Sequence, residues 1–392
     1  MNIEYKTIGL FNDSYPPIFD GVSIATQNYA RHFFNKKNSV CVITPKVPKN
    51  IETDEFPVVR YTSLPLFFRK PYRIGIPELD FDIKSTLDNI PFKIVHAHSP
   101  FSSGKLALRI ARKRNIPIVA TFHSKYRDDF ERSVKNKKIA NWMVKDVIHF
   151  YNQVDEVWIP QAAVEETMRE YGYKGKVVVV ENGNDYATSE NLEMARKQAK
   201  NKLQINENEF TFLFVGQHIW EKNTRLIVES LALLKDFPFK MFFVGTGYAA
   251  NDLKQLVNDL DLSSKVKFTG VIRDREELKQ YYLASDLFLF PSIYDNAPLV
   301  VREAAALQTP SILTKHSTAS EIITDNFNGF LTENNPKALA AKISDLTQNT
   351  LLLSKAGLNA RQTIARSWED VAEEVLDRYQ YLISKPFRWN IN

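Results

Sequence analysis

The sequence predicts an α/β protein built from two doubly wound parallel sheets. Its 392 residues exceed what one ordinary hydrophobic core accommodates, which favours two domains. Short runs of β-branched and other apolar residues alternate with amphipathic segments along the whole chain. Most of these runs are apolar throughout, a pattern typical of parallel strands that are covered on both faces.

The order of the predicted strands indicates two series of βαβ units, because helical segments separate most of them. We therefore predict two Rossmann-like domains facing each other across a cleft. The first comprises residues 1–190 and a returning C-terminal helix, 370–392, and the second comprises residues 191–369. The pattern Ser367-Trp368-Glu369-Asp370 resembles a capping box that opens this helix. The predicted strands are 8–13, 40–45, 94–98, 118–123, 156–160, 177–182, 211–216, 240–245, 266–271, 287–291, 311–314 and 329–332.

Composition excludes several other classes of protein. The hydrophobic and charged fractions, 44% and 25%, are those of a globular chain and not of a disordered one. The single cysteine, Cys41, lies in an apolar run, so no disulfide framework is expected. No segment reaches the roughly 18 apolar residues that span a bilayer, and no leader peptide is evident. We expect a cytoplasmic protein, with any membrane contact made peripherally.

Positive charge is concentrated in residues 105–145, which hold 12 basic and 3 acidic side chains. Such a patch attracts anionic partners, and Ile139 and Trp142 beside Lys137 and Lys138 fit an interfacial helix that meets anionic lipid. A solvated helix that packs its apolar side onto the sheet explains the same residues equally well. No nucleic-acid recognition motif accompanies the patch, so we expect no nucleic-acid partner.

Polar residues of unusual type cluster where the predicted strands end. In open parallel sheets, ligands bind beyond the carboxyl ends of the strands. The coincidence of these two features predicts one shared ligand cleft. The loops concerned are 12–23, 96–103, 123–127, 216–223, 245–250 and 292–303.

Three of these loops carry residues suited to a phosphorylated, hydroxyl-rich ligand. Gly21 precedes a predicted helix, where backbone N–H groups and the helix dipole favour an anion. Lys222, near another helix start, can neutralise a diphosphate. Asp295 and Glu303 can accept hydrogen bonds from sugar or ribose hydroxyls. A plain turn, a surface lysine and a chance pair of carboxylates are the alternatives that need no ligand.

One motif favours a different function. The segment 245–250 matches the G-x-G-x-x-A dinucleotide fingerprint, which would indicate a nicotinamide-dependent oxidoreductase. That function needs an acidic residue at the end of the next strand to hold the ribose. The next predicted strand, 266–271, leads instead into Ile272-Arg273.

Three histidines suggest a metal ion. His96 and His98 share one face of a predicted strand, and His123 follows the next strand. No carboxylate or cysteine at ligand spacing accompanies them, so we expect no metal and a histidine that makes polar contacts in the cleft.

Taken together and in order, these motifs resemble glycosyltransferase family 4, retaining enzymes of the GT-B fold. The Tyr294-Asp295 loop that runs into Val300-Val301-Arg302-Glu303 is similar to a subgroup that includes diacylglycerol glucosyltransferases. The resemblance extends over essentially the whole chain. Its motifs are Asp20-Gly21-Val22, Val95-His96-Ala97-His98, Thr121-Phe122-His123, Glu181-Asn182-Gly183, Val215-Gly216 with Glu221-Lys222, Val244-Gly245-Thr246-Gly247, Phe268-Thr269-Gly270, Pro291-Ser292 with Glu303-Ala304-Ala305-Ala306, and Ser367-Trp368-Glu369.

The resemblance implies a role for each site residue. It implies a nucleotide-sugar donor, UDP-glucose-like in the first instance, a lipid or glycan acceptor, and no metal or other cofactor. His123, Lys222 and Asp295 match the catalytic positions, with His123 between donor sugar and acceptor. The residues matched to donor binding are Gly21, Gln217, Lys222, Gly245, Asp295, Leu299 and Glu303.

Three positions depart from the pattern of the family. Gln217 stands where the family usually has Arg, Asp295 replaces Glu, and Pro298 replaces Gly. These changes remove one positive charge, shorten the reach to the sugar and delete one backbone N–H. A catalytically impaired binding or scaffold protein is therefore an alternative to an active transferase.

Overall fold

The computed structural model describes residues 7–48, 52–66, 71–186, 191–206 and 209–386. The chain divides into two compact units. The N-terminal unit comprises the chain up to Asn182 and again from Trp368 onward. The C-terminal unit comprises Gly183–Ser367. The division therefore lies at 182/183 and 367/368, and not at 190/191 and 369/370.

The N-terminal unit contains a seven-stranded parallel sheet in the order β3-β2-β1-β6-β7-β8-β9. Strands β1 and β6 lie at the centre, where the strand order reverses. A short antiparallel pair, β4 and β5, lies outside this sheet. The strands are β1 Thr7–Phe11, β2 Val40–Pro45, β3 Val58–Tyr61, β4 Ser63–Pro65, β5 Arg73–Gly75, β6 Phe92–Ala97, β7 Ile118–Thr121, β8 Glu156–Ile159 and β9 Val177–Val179.

Helices connect these strands and cover the sheet. A 3-10 turn, Pro77–Leu79, precedes the second helix. The helices are α1 Gly21–Asn35, α2 Ile83–Asp88, α3 Ser102–Arg114, α4 Tyr126–Val134, α5 Lys137–Tyr151 and α6 Val164–Glu170.

The C-terminal unit repeats the design with a six-stranded parallel sheet, β12-β11-β10-β13-β14-β15. Its switch point lies between β10 and β13. The strands are β10 Phe210–Val215, β11 Phe239–Val244, β12 Val266–Gly270, β13 Leu287–Phe290, β14 Ser311–Thr314 and β15 Phe330–Thr332. The helices are α7 Leu192–Lys202, α8 Thr224–Ala232, α9 Ala250–Asp259, α10 Arg275–Ala284, α11 Leu299–Ala306, α12 Pro336–Thr347 and α13 Thr350–Thr363, with 3-10 turns at Trp220–Lys222 and Thr318–Ile322.

The predicted α/β class and both doubly wound sheets are confirmed, and every predicted strand is present. Several strands end earlier than predicted, and two of them end where polar or glycine residues begin. Thus β6 ends at Ala97, ahead of His98, and β10 ends at Val215, ahead of Gly216. Strands β3, β4 and β5 were not predicted, since Arg60, Ser63 and Arg73 leave no continuous apolar run in them.

The last helix, α14 (Trp368–Ser384), belongs to the N-terminal unit, as predicted. It packs against α1. Tyr379 is buried, stacks on Trp158 of β8 with ring centroids 5.7 Å apart, and contacts His96 Nδ1 through its hydroxyl at 2.6 Å. Within the described part of the chain, no helix has both the length and the apolar character needed to cross a bilayer.

We predict that Tyr379→Ala lowers the free energy of unfolding of the N-terminal unit by about 3–5 kcal/mol, because it leaves a cavity on the sheet and removes the partner of His96. Urea or thermal unfolding followed by circular dichroism measures the loss. Tyr381 lies on the same helix and is 55% exposed, so Tyr381→Ala is the matched control, with a change of about 0.5 kcal/mol or less. Equal losses in the two variants would contradict the docking role of Tyr379.

Candidate functional site

At the carboxyl edge of the C-terminal sheet, the loops after β10 and β11 are joined to one another. Gly216 N donates to Val244 O at 3.0 Å, and His218 N donates to Thr246 O at 3.0 Å. Gly245 has a φ of +126°, and a Cβ placed there would overlap the carbonyl oxygen of Gly216. The glycine at position 245 is therefore required by the close approach of two backbones within the protein.

This close approach explains why the first position of the G-x-G-x-x-A pattern is glycine, without reference to a bound dinucleotide. The strand that follows, β12, ends at Gly270, and the loop after it carries Arg273 and not an acidic residue at the strand tip. The dinucleotide interpretation therefore lacks the carboxylate that would hold a ribose.

Lys222 and Asp295, 73 positions apart in the sequence, form a direct ion pair. Lys222 Nζ lies 2.7 Å from Asp295 Oδ1 and 2.9 Å from Oδ2, and 5.1 Å from the ring centroid of Phe290. Ser292 Oγ donates to Asp295 Oδ2 at 2.6 Å. The two charged side chains are only 12% and 17% exposed, so their attraction is weakly screened.

The ion pair lies beside the glycine loop. A Cβ added to Gly216 would be 3.4 Å from Lys222 Cδ. Asn223 Nδ2, next in the chain, donates to Pro291 O at 3.1 Å and so ties this loop to the end of β13. The predicted residues Lys222 and Asp295 are thus brought together with the glycine loop at the switch point.

Glu303 is almost completely buried, with 4% of its surface exposed. Its Oε1 accepts from Arg275 Nη2 at 2.7 Å, and its Oε2 accepts from Tyr282 Oη at 2.8 Å. The Glu303 carboxylate raises the pKa of Arg275 above its ordinary range, although burial alone would lower it. Burial, the largest cause, and then the negative charge of Glu303 raise the pKa of Tyr282, which stays a hydrogen-bond donor.

The remaining predicted donor-site residues surround the start of α11 and the glycine loop. Leu299 is the first residue of α11, so its N–H has no acceptor within the helix, and Pro298 at the N-cap has no N–H. Gln217 is exposed on the loop after β10. Position 217 thus carries no positive charge. Lys222, beside the same loop, supplies one.

In the N-terminal unit, Gly21 is the first residue of α1. Asp20 caps this helix by accepting from Ser23 N at 2.7 Å. A Cβ added to Gly21 would have no neighbour within 4 Å, and the φ of this glycine is not in the left-handed region. The packing of the described protein therefore does not require glycine at position 21.

The three histidines lie together at the carboxyl edge of the N-terminal sheet, where His96 and His98 are buried and His123 is partly buried. His98 Nδ1 lies 3.2 Å from His123 Nε2, and their rings stack. His96 Nε2 contacts Thr121 Oγ1 at 2.7 Å, so its two ring nitrogens are engaged by Thr121 and Tyr379. Burial lowers the pKa of His123 to about 3, and the rings of His96 and His98 likewise titrate well below their ordinary value.

His98 and His123 contact one another, and His96 contacts two hydroxyl groups. Across the described ranges, His, Cys, Asp and Glu side chains form no group of three or more suited to a metal ion.

Several residues at these edges were not predicted. Asp13, just beyond β1, accepts hydrogen bonds from Ser99 Oγ and Ser102 Oγ and from Ser103 N at 3.1 Å, and burial raises its pKa. Arg275 and Tyr282 were also missed, and Ser292 was noted only within the Pro291-Ser292 motif, without a role. The only signal for Asp13 and Arg275 was proximity to a strand end or to a helix start, which many unrelated polar residues share, and Tyr282 near the end of α10 had none.

Comparison with known proteins identifies the family of the chain. Residues 19–187 match the family model described as Glycosyltransferase Family 4, and residues 195–363 match the model described as Glycosyl transferases group 1. The chain belongs to glycosyltransferase family 4. The predicted family is therefore confirmed.

Two relatives of this family are named alpha-monoglucosyldiacylglycerol synthase, which confirms the predicted similarity to that subgroup. The protein from Streptococcus pneumoniae is 29% identical over 83% of this chain and 74% of its own length. The protein from Acholeplasma laidlawii is 24% identical over 96% of this chain and 99% of its own length.

Solved structures confirm the predicted GT-B fold. Sucrose-phosphate synthase from Thermosynechococcus elongatus has a TM-score of 0.79 and 20% identity, with 97% of this chain and 99% of that chain covered. HepE from Anabaena, in complex with UDP and glucose, has a TM-score of 0.77 and 16% identity, with coverage of 96% and 99%.

We predict that Gly245→Ala destabilises the C-terminal unit by more than the cost of an unfavourable φ alone, because the new Cβ meets backbone and not a movable side chain. Gly172 has a φ of +96° with open space around its Cβ position, so Gly172→Ala is the matched control, at about 1–3 kcal/mol. Thermal unfolding compares the two variants. If Gly245→Ala lowers the free energy of unfolding no more than Gly172→Ala does, the two loops do not approach as closely as described.

Proposed function

We propose that this member of family 4 transfers a hexose with retention from a nucleoside diphosphate sugar, UDP-glucose in the first instance, to a hydroxyl of a lipid or glycan. The observation that carries the proposal is the half-buried Lys222–Asp295 pair beside the glycine loop. It offers a cation for a diphosphate and a carboxylate for sugar hydroxyls within one short distance. The named activity of the Streptococcus and Acholeplasma relatives supports glucose and a glycerolipid as the first pair of substrates to test.

Lys222 and Asp295 hold each other in place until the donor binds. In the proposed complex, the Lys222 ammonium also contacts the diphosphate, and Asp295 accepts hydrogen bonds from hexose hydroxyls. Ser292 keeps the Asp295 carboxylate oriented. Positive charge from Lys222 and backbone N–H groups at the start of α11 stabilise the leaving diphosphate. The proposal therefore assigns no catalytic metal and no other cofactor.

The acceptor is assigned to the N-terminal unit, at His123. Because burial lowers its pKa to about 3, His123 is neutral near pH 7 and a weak base. We therefore assign deprotonation of the acceptor hydroxyl to an oxygen of the leaving diphosphate, on the face of the hexose from which the diphosphate departs. The new bond then forms on that same face, which retains the anomeric configuration. His123 contributes by orienting groups, and not by removing the proton.

We further propose that the start of α5 holds the protein at an anionic membrane surface on the cytoplasmic side. Several basic residues of the 105–145 patch are already paired: Lys105 with Asp146, Arg109 with Glu78, and Lys113 with Asp88. The positive surface is thus narrower than its composition indicated.

What remains is an exposed group around the first turns of α5. Trp142 is 68% and Ile139 48% exposed, and the exposed Lys137, Lys138 and Lys145 accompany them. The opposite face of α5, including Ala140, Val144 and Val147, is buried in the unit. The helix thus packs one side on the core and presents a mixed apolar and basic side, which suits lipid headgroups of negative charge.

We predict that Lys222→Met lowers kcat for transfer from UDP-glucose about 100- to 1000-fold, because the diphosphate loses its cation while the fold persists. Release of UDP in the presence of diacylglycerol vesicles measures turnover, and circular dichroism checks folding. The exposed Lys235→Met is the control and retains full activity. Wild-type turnover by folded Lys222→Met would overturn the assignment of the donor site.

We predict that sedimentation with vesicles of anionic phospholipid recovers the protein, whereas neutral vesicles recover little of it. Trp142→Gln combined with Lys137→Gln and Lys138→Gln removes most of the difference, since both apolar and charged contacts are lost. Gln substitution of Lys174 and Lys176, outside α5, leaves it unchanged. Equal recovery on anionic and neutral vesicles contradicts the membrane proposal.

A further inference from the structure

The carboxylate of Glu303 is held at both oxygens by a single helix. Arg275 and Tyr282 lie seven positions apart on α10, about two turns, and so project from the same face. Arg275 Nη2 donates to Oε1 at 2.7 Å and Tyr282 Oη donates to Oε2 at 2.8 Å. The plane of the carboxylate is therefore set by two donors that one rigid element supplies.

This arrangement leaves a defined set of acceptor positions. A carboxylate offers about four lone-pair sites, two on each oxygen. The two protein donors use one site on Oε1 and one on Oε2, so one site stays available on each oxygen. Two neighbouring hydroxyls on adjacent carbons, as in a ribose, present donors at a matching spacing.

The nitrogen of Arg275 that contacts Glu303 has a second carboxylate partner. Its Nη2 lies 3.2 Å from Asp185 Oδ2, and its guanidinium carbon lies 4.7 Å from the ring centroid of Tyr186. The hydroxyl of Tyr186 donates to the carbonyl oxygen of Arg275 at 3.0 Å. The nitrogen Nη2 thus bridges two carboxylates, and the Tyr186 ring and hydroxyl contact the same residue.

Orientation matters here because Glu303 has little freedom to adjust. Only 5% of its side chain is exposed, so neighbouring groups surround the carboxylate closely. The carboxylate cannot rotate toward an incoming hydroxyl without breaking its bonds to Arg275 and Tyr282. A group held so tightly discriminates by geometry, because a ligand that lacks one hydroxyl leaves a buried acceptor unpaired.

We propose that Arg275 and Tyr282 are positioning residues that preset the Glu303 carboxylate for the vicinal diol of the donor ribose, and so select a ribonucleotide over a 2′-deoxyribonucleotide. This inference rests on the proposed function, and it takes Glu303, which the family resemblance matches to donor binding, as the residue that accepts from the ribose hydroxyls. It goes beyond that function by assigning the selectivity to two residues of α10 that reach the ligand only through Glu303.

The test compares the binding of UDP and 2′-deoxy-UDP by isothermal titration calorimetry, which requires no acceptor. We expect the wild-type protein to bind UDP about 10- to 100-fold more tightly, the effect of one hydrogen bond to a charged group. In Arg275→Lys and in Tyr282→Phe, UDP binds more weakly and the ratio falls to about threefold or less. A change in fold stability alone would weaken the binding of both nucleotides equally and leave the ratio of their affinities unchanged.

Tyr281→Phe is the matched control, because Tyr281 neighbours Tyr282 on α10 and has no bond to Glu303. This variant keeps the wild-type ratio. If Arg275→Lys does not fold, Tyr282→Phe decides the question by itself.

A wild-type ratio in both folded α10 variants overturns the inference. Glu303→Gln separates that failure from failure of the proposed function. If Glu303→Gln loses the preference for UDP and the α10 variants keep it, only the positioning role is wrong. If the wild-type protein binds neither nucleotide, or binds both equally, the donor site itself is wrong and the inference falls with it.

Discussion

Parallel pairing is the constraint on which both units depend. In a parallel sheet all strands end at the same edge, so the loops that follow distant parts of the sequence meet there. In the C-terminal unit this constraint brings the loop after β10, with Lys222, to the loop after β13, with Asp295. The apolar strands supply the burial that stabilises the unit, and the polar residues are excluded to the edge because they cannot be buried without partners.

At that edge each charge has a specific partner. Lys222 and Asp295 neutralise each other at low exposure, and Arg275 lies between the carboxylates of Glu303 and Asp185. A buried charge without its partner is costly, so these pairs hold long side chains in single orientations. A ligand that replaces one partner meets a group that is already oriented, which lowers the cost of binding.

The fold was predictable from the sequence because the hydrophobic pattern is local. Apolar runs such as 240–245 identify strands without knowledge of their neighbours, and each predicted strand is present. The short strands β3 to β5 could not be predicted, since charged or polar residues interrupt their apolar runs. Likewise, Gly245 was recognised by its motif, but its physical reason, the carbonyl of Gly216, becomes visible only in three dimensions.

The candidate site was predictable only where a family motif marks it. Lys222, Asp295 and Glu303 lie in loops after strands and gained specific roles from the resemblance, whereas Arg275 resembles any basic residue at the start of a helix. Its role depends on the register of α10 against α11, which the sequence does not encode locally. The charge of residues 105–145 was overestimated for the same reason, because its acidic partners Glu78, Asp88 and Asp146 lie outside that segment.

Incubation of the purified protein with UDP-, GDP- and ADP-sugars and a lipid and glycan extract, with nuclear magnetic resonance of the product, tests the central claim most directly. The account predicts nucleotide release from one donor, UDP-glucose first, together with a new glycoside that keeps the anomeric configuration of the donor. Inactivity with every donor would contradict the account and favour a binding or scaffold protein built on the same fold.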